Sequence, residues 1–197
     1  MRDKQMAQLD TERTMETDMF GRRVTFDYSE TWIGYSVLSL RVVMAYVFLS
    51  AGLEKLLDPE GWSAGPYLDP QSGFGVGEGN PLAGVFAELS ASAALVDPLV
   101  IWGQILIGLA LLFGAFFRLA AFFGAIQMLL FWLAAFEGGI MAGLPIEHGY
   151  LIDSSFVYAL LLFGLGAIGA GRILGVDERL EETDLVQQNP WLRYLLG

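Results

Sequence analysis

Four apolar blocks, at 33–57, 99–117, 119–136 and 156–174, constrain this chain more than any other feature. Each approaches or exceeds the ~20 residues that span a ~30 Å hydrocarbon core at ~1.5 Å per residue. Only 17% of the 197 residues are charged and 54% are hydrophobic, whereas a soluble domain carries about a quarter charged residues. The first thirty residues are polar. The block at 33–57 is too long for a signal peptide and has no small-residue cleavage site, so it reads as a retained helix. Composition and blocks together predict an all-α membrane protein.

A single helix over 99–136 would be about 57 Å long, nearly twice the core. The chain must turn, and Gly114 to Arg118 is the predicted place. Asp97-Pro98 and Asp153-Ser154-Ser155 read as helix starts, each with an aspartate cap. The predicted architecture is a four-helix transmembrane bundle. The basic residues Arg2, Lys4, Arg13, Arg22 and Arg23 precede the first span, Arg118 lies in the central turn, and Arg179 and Arg193 follow the last span. The segments 58–98 and 137–153 contain no Lys or Arg. That asymmetry places both termini in the cytoplasm and Glu78 and His148 outside, with the plasma membrane as the expected location.

In the first outer loop, Asn80-Pro81 followed by Leu82, Val85, Phe86 and Leu89 predicts a short amphipathic helix. The glycine-rich stretch Gly73 to Gly79 has no following Lys and Ser/Thr, so it reads as a flexible loop rather than a phosphate loop. The net charge of −11 with almost no lysine suits a surface kept soluble in high salt, implying a halophilic, archaeal source. It also disfavours nucleic acid, and anionic headgroups, as partners of the tails. Phe20, Val24, Phe26 and Tyr28 alternate before the first span, which predicts an extended, half-buried segment that docks on a partner or on the bundle; the alternative is a solvated tail.

Absences narrow the chemistry. With no cysteine, the chain holds no iron–sulfur cluster and runs no thiol relay. Its single histidine, His148, rules out a bis-histidine haem, and beside Glu147 it reads as a solvated loop residue. No metal site and no covalently bound cofactor are expected.

Three further stretches carry a family resemblance. The run from Arg41 to Leu56, with its arginine, aromatic middle and glycine-x-x-lysine end, resembles the first helix of DoxX-type proteins. Gly108 to Gly114, then Arg118 to Ala121, resemble that family's second helix and the turn into the third. Gly169-Ala170-Gly171-Arg172 and Gly175-Val176-Asp177 resemble its exit from the fourth. The resemblance spans 33–177, and some such proteins are subunits of thiosulfate:quinone oxidoreductases or of redox-stress complexes. The expected division is a polar N-terminal tail at 1–31, a membrane domain at 32–177 and a C-terminal tail at 178–197, both tails cytoplasmic by the charge asymmetry. Relatives that work through cysteine pairs lend this chain no activity.

Polar residues inside spans are costly and therefore informative. Lys55 follows Arg41 by fourteen positions, which returns it to within ~40° of the same helix face. Phe48 and Gly52 share that stripe, and Gln104 is the expected partner across the second span. Arg41, Lys55, Gln104, Phe48 and Gly52 are therefore the candidate ligand site, with quinone as the expected ligand. The competing reading is that Arg41 bonds Gln104 and backbone carbonyls and only holds helices together. The functional expectation is a subunit of a quinone-linked oxidoreductase or respiratory assembly; the alternative is a non-catalytic anchoring subunit. Membrane lipids and other subunits, or a second copy, are the expected partners.

Overall fold

The computed structural model describes residues 12–137 and 152–197. Glu147 and His148, read from the sequence as outer-loop residues, lie outside the described residues. The chain divides into two units, Met1–Leu40 and Arg41–Gly197.

Within the first unit, β1 (Glu12–Met19) and β2 (Arg22–Ser29) form an antiparallel hairpin, with Met15 opposite Phe26 and Thr17 opposite Val24. Phe20 and Gly21 make the two-residue turn with φ of 52° and 74°, the mirror-image geometry whose twist suits a hairpin. The all-α expectation is corrected here. The period-2 alternation at 24, 26 and 28 is a strand signal, and β1 is the strand it pairs with. Thr14 Oγ1 donates to Asp27 Oδ1 at 2.6 Å, and Arg13 pairs with Glu30 at 2.8 Å. Glu30 opens α1 (Glu30–Leu56).

The second unit contains the rest of α1 and a short turn α2 (Gly65–Leu68), then α3 (Ala83–Ala91), α4 (Ala93–Phe113), α5 (Phe117–Ala134) and α6 (Ser154–Ile168). Among the described residues, α1, α4 and α5, of 27, 21 and 18 residues, are long and apolar enough to cross a membrane. The 15-residue α6 is apolar but reaches only about 22 Å. Its block was read to 174, yet the helix stops at Gly169, whose φ of 73° is left-handed and ends the helical hydrogen bonding. Two starts also differ from expectation or agree with it instructively. The α4 helix begins at Ala93, five residues before Pro98, and the Asp97 carboxylate inside it accepts from Ala64 N–H in the loop at 2.7 Å rather than capping the helix start. Asp153 does cap α6, accepting from Phe156 N–H at 2.8 Å.

Small residues bring the helices into contact. A Cβ on Gly52 of α1 would lie 2.8 Å from Ile105 Cγ1 of α4, and one on Gly108 would lie 2.6 Å from Leu49 Cγ and 2.9 Å from Leu49 N. Gly124 of α5 meets Phe48, Ile107 and Leu162, one residue from each of α1, α4 and α6. Lipid offers no hydrophobic drive for helix association, so close van der Waals approach at such positions is what holds helices together there. Phe48, Leu111 and Leu162 are completely or almost completely buried around this crossing.

At one end, the amphipathic helix α3 sets Phe86 against Val76 and Ala134. The Gly73–Gly79 stretch is more tightly held than a flexible loop. Gly77 N–H donates to Ala134 O at 2.9 Å, and a Cβ on Gly75 or Gly77 would collide with the carbonyls of Tyr67 or Phe136. Asn80, read as a cap for α3, bonds Leu82 N–H through Oδ1 and caps α5 instead, donating from Nδ2 to Leu133 O and Ala134 O, both at 2.9 Å. At the other end, α7 (Val176–Glu181), α8 (Asp184–Gln188) and a 3-10 turn at Pro190–Tyr194 fold back. Leu196 is buried, and Leu119 N–H bonds Leu195 O, so the stretch read as a C-terminal tail is packed onto α5.

The Gly108 contact is backbone-deep, so Gly108→Ala should destabilise the detergent-solubilised protein by about 1–3 kcal/mol through helix separation. Gly164, which has no atom near its added Cβ, should accept alanine without loss. Thermal unfolding of the two variants side by side checks this.

Candidate functional site

Among the described residues of the second unit, two places concentrate polar chemistry. The first is a buried knot at the end of the α4–α5 turn. Gly114, at φ 63°, closes α4, and Phe116 is held left-handed at φ 49° before α5 begins. Asp177 is fully buried, and its carboxylate accepts from Phe116 N–H at 2.7 Å and from Phe117 N–H and Gly197 N–H, each at 2.9 Å. Its own N–H donates to Gly114 O at 2.8 Å. A side chain sixty residues downstream thus caps α5, satisfying first-turn donors at the positive end of the helix dipole.

Arg41 completes the knot. It is 3% exposed, and Nη1 donates to Ala170 O at 2.8 Å and Ile173 O at 2.6 Å, in the chain leaving α6. The same guanidinium interacts electrostatically with Asp177. The expected partner Gln104 makes no bond to it: Gln104 is 2% exposed and its Oε1 has no partner in the protein. The glycines at 114, 171 and 175 are required by space, since a Cβ on Gly171 would stand 2.5 Å from the Asp177 carboxylate and one on Gly175 would strike Gly171 O.

The second place is a groove of about 1380 Å³ running along α4 and α5. Gly103 and Leu106 of α4 and Leu119, Phe123 and Leu130 of α5 form its apolar walls. Gln127 is the polar group partway along, with a buried Oε1 that has no protein partner. Glu54, Lys55, Asp58, Trp62 and Tyr67 surround one end. There Lys55 Nζ donates to Ala51 O at 3.1 Å and lies 5.3 Å from the Trp62 ring, which in turn stacks on Tyr67 at 6.0 Å. Cation–π contact holds the ammonium at the groove mouth without neutralising it.

The five sequence candidates are not brought together. Arg41 lies near the middle of α1 and Lys55 at its C-terminal end, about 21 Å apart along the axis. Phe48 and Gly52 between them are packed against Gly124 and Ile105. Of the five, Lys55 alone lines the groove. Gln127 and Trp62, 65 positions apart in the sequence, share no motif and meet only at this groove. The signal at Asp177 was its place in the Gly175-Val176-Asp177 run, yet with Glu178, Glu181 and Glu182 close behind it looked like one of several surface acids.

Asp177 and Arg41 should be interdependent. Asp177→Asn leaves three N–H donors facing a side chain with a single acceptor oxygen, a loss of about 2–3 kcal/mol. Arg41→Gln should lower Tm comparably, and the double variant should lose less than the sum. Thermal unfolding of all three in detergent measures the coupling.

Residues 36–137, more than half of the chain, match the DoxX family, a span that runs from within α1 through α5 and stops before the α6 exit and Asp177. No curated protein and no solved structure matches the chain. Helices long enough to cross a membrane and the family match agree, and the chain belongs to the DoxX family of multi-pass membrane proteins.

Proposed function

We propose that this chain is a membrane subunit of a quinone-linked oxidoreductase or respiratory assembly, holding a quinone by its tail in the α4–α5 groove. The observation that carries the reading is the groove: apolar over helix length, with one amide partway along and a cation–aromatic group at its end. A prenylated quinone has the same makeup, a long hydrocarbon tail joined to a ring bearing two carbonyls. The residues fit it. Gln127 brings an amide whose oxygen lacks a protein partner, and an amide both donates to a carbonyl and accepts from a hydroxyl. Lys55 offers further donors at the mouth. A bound quinone supplies two-electron acceptor chemistry, while the residues of this chain bind, orient and exclude water. With no cysteine and one histidine, the electrons come from a partner subunit's cofactor.

The arrangement proposed in the membrane is a four-helix bundle in which α6 is the short fourth span. Both termini and Arg118 face the cytoplasm of a halophilic cell and Glu78 faces outside, supported by the one-sided distribution of Lys and Arg. One observation favours the anchoring alternative: the groove exceeds the ~300–1,000 Å³ usual for small-molecule sites and has room for part of a partner's helix.

Purification in mild detergent, with extraction of quinones and identification of co-purifying proteins, separates the readings. Quinone should be retained by the native chain and reduced about five- to tenfold by Gln127→Leu, the loss of roughly one hydrogen bond. A native protein that yields a membrane partner and no quinone supports anchoring and defeats quinone binding. For topology, a cysteine introduced at Glu78 into this cysteine-free chain should react with an impermeant reagent in intact cells. Reaction only after rupture inverts the assignment.

A further inference from the structure

The hairpin has two unlike faces. Cross-strand partners share a face, so Met15, Met19, Val24 and Phe26 lie together with Arg13 and Arg22, while Glu16, Asp18 and Asp27 lie on the other with Arg23. The Phe26 and Tyr28 rings stand 6.2 Å apart and Thr14 bonds Asp27, which fits that division. The apolar face carries no carboxylate, and all four of its apolar residues named here are exposed. Phe20 at the turn is completely exposed. A lone two-stranded hairpin is only marginally stable in water, so this face needs a cover.

The chain itself points to the cover. Ser29, the last hairpin residue, is followed directly by Glu30, the first residue of a helix long and apolar enough to cross a membrane. Arg13 is tied to that same Glu30. The hairpin is therefore attached at the membrane surface with no linker. We propose that it lies on the lipid headgroup layer: Met15, Met19, Val24, Phe26 and the Phe20 tip sink into the interface, Arg22 contacts lipid phosphate, and the acidic face is turned to water. Aromatic and apolar groups beside arginine suit that interface, and carboxylates do not. This revises the inference from net charge, because the acid is confined to one face.

The test uses the full chain in phosphatidylcholine–phosphatidylglycerol vesicles, with single cysteines carrying an environment-sensitive fluorophore. Labels at Met15→Cys and Phe26→Cys should be quenched by spin-labelled lipid and shielded from iodide, and labels at Glu16→Cys and Thr25→Cys should behave oppositely. Arg22→Gln, at an exposed position, should reduce the docked-to-free ratio about fivefold, as should pure phosphatidylcholine vesicles. Equal access to iodide on both faces overturns the proposal. So does shielding that persists in lipid-free amphipol, which means cover by protein, or shielding lost on dilution to one chain per vesicle, which means a second copy. Indifference to Arg22→Gln and to headgroup charge overturns the phosphate contact.

Discussion

A carboxylate removed completely from water must be met by donors, and the arrangement at one end of the second unit follows from how Asp177 meets that demand. Its two oxygens collect three backbone N–H groups, two of them from the first residues of the α4–α5 turn and helix. The bond that satisfies the acid also caps a helix, holds Phe116 in a left-handed conformation, and fixes the chain leaving α6 against the central turn. Arg41 closes the same arrangement from α1 by binding the carbonyls freed where α6 ends. Charge, cap and helix ends are one structure, and separate treatment of any member misstates its energetics.

Glycine makes that arrangement and the helix crossings possible for the same reason. At Gly52, Gly108 and Gly124 the absent Cβ lets backbones approach closely, and at Gly171 and Gly175 it leaves room for a carboxylate and a carbonyl. Close approach on one side has a consequence on the other. With α5 drawn toward α6 and α1 toward α4, the outer flank of the α4–α5 hairpin stays open as a long apolar groove. The stripe of α1 that looked like a ligand surface is occupied by packing, and the surface available to a ligand is on the neighbouring hairpin. The end of α1 still contributes, because Lys55 and its Trp62 contact reach the mouth of that groove.

Charge is sorted by position throughout. Acidic side chains lie on one face of the hairpin, and at the groove mouth Glu54 and Asp58 flank Lys55. Net charge alone predicts none of this, because it averages over faces that meet different surroundings. For a membrane protein the arrangement of a few charges around each helix end carries more information than their sum.

Membrane insertion, the three long spans, the central turn at Gly114 and the Asp153 cap were legible in the amino-acid order, because hydrocarbon thickness and helix rise depend only on local composition and length. The burial of Arg41 was legible for the same reason: a cation at that depth must face protein or water. That it would bond backbone carbonyls was legible too, but not which ones, since those of Ala170 and Ile173 lie about 130 residues away and come beside it only in the folded chain. The hairpin's alternation was visible, but which strand it pairs with is a long-range choice within the first unit. The groove was invisible, because Gln127, Lys55 and Trp62 share no period or motif and meet only through the packing of α4 on α5. Local physics determined which segments enter the membrane; the burial of one carboxylate and the absence of a few Cβ atoms decided, in three dimensions, which of their surfaces remained free.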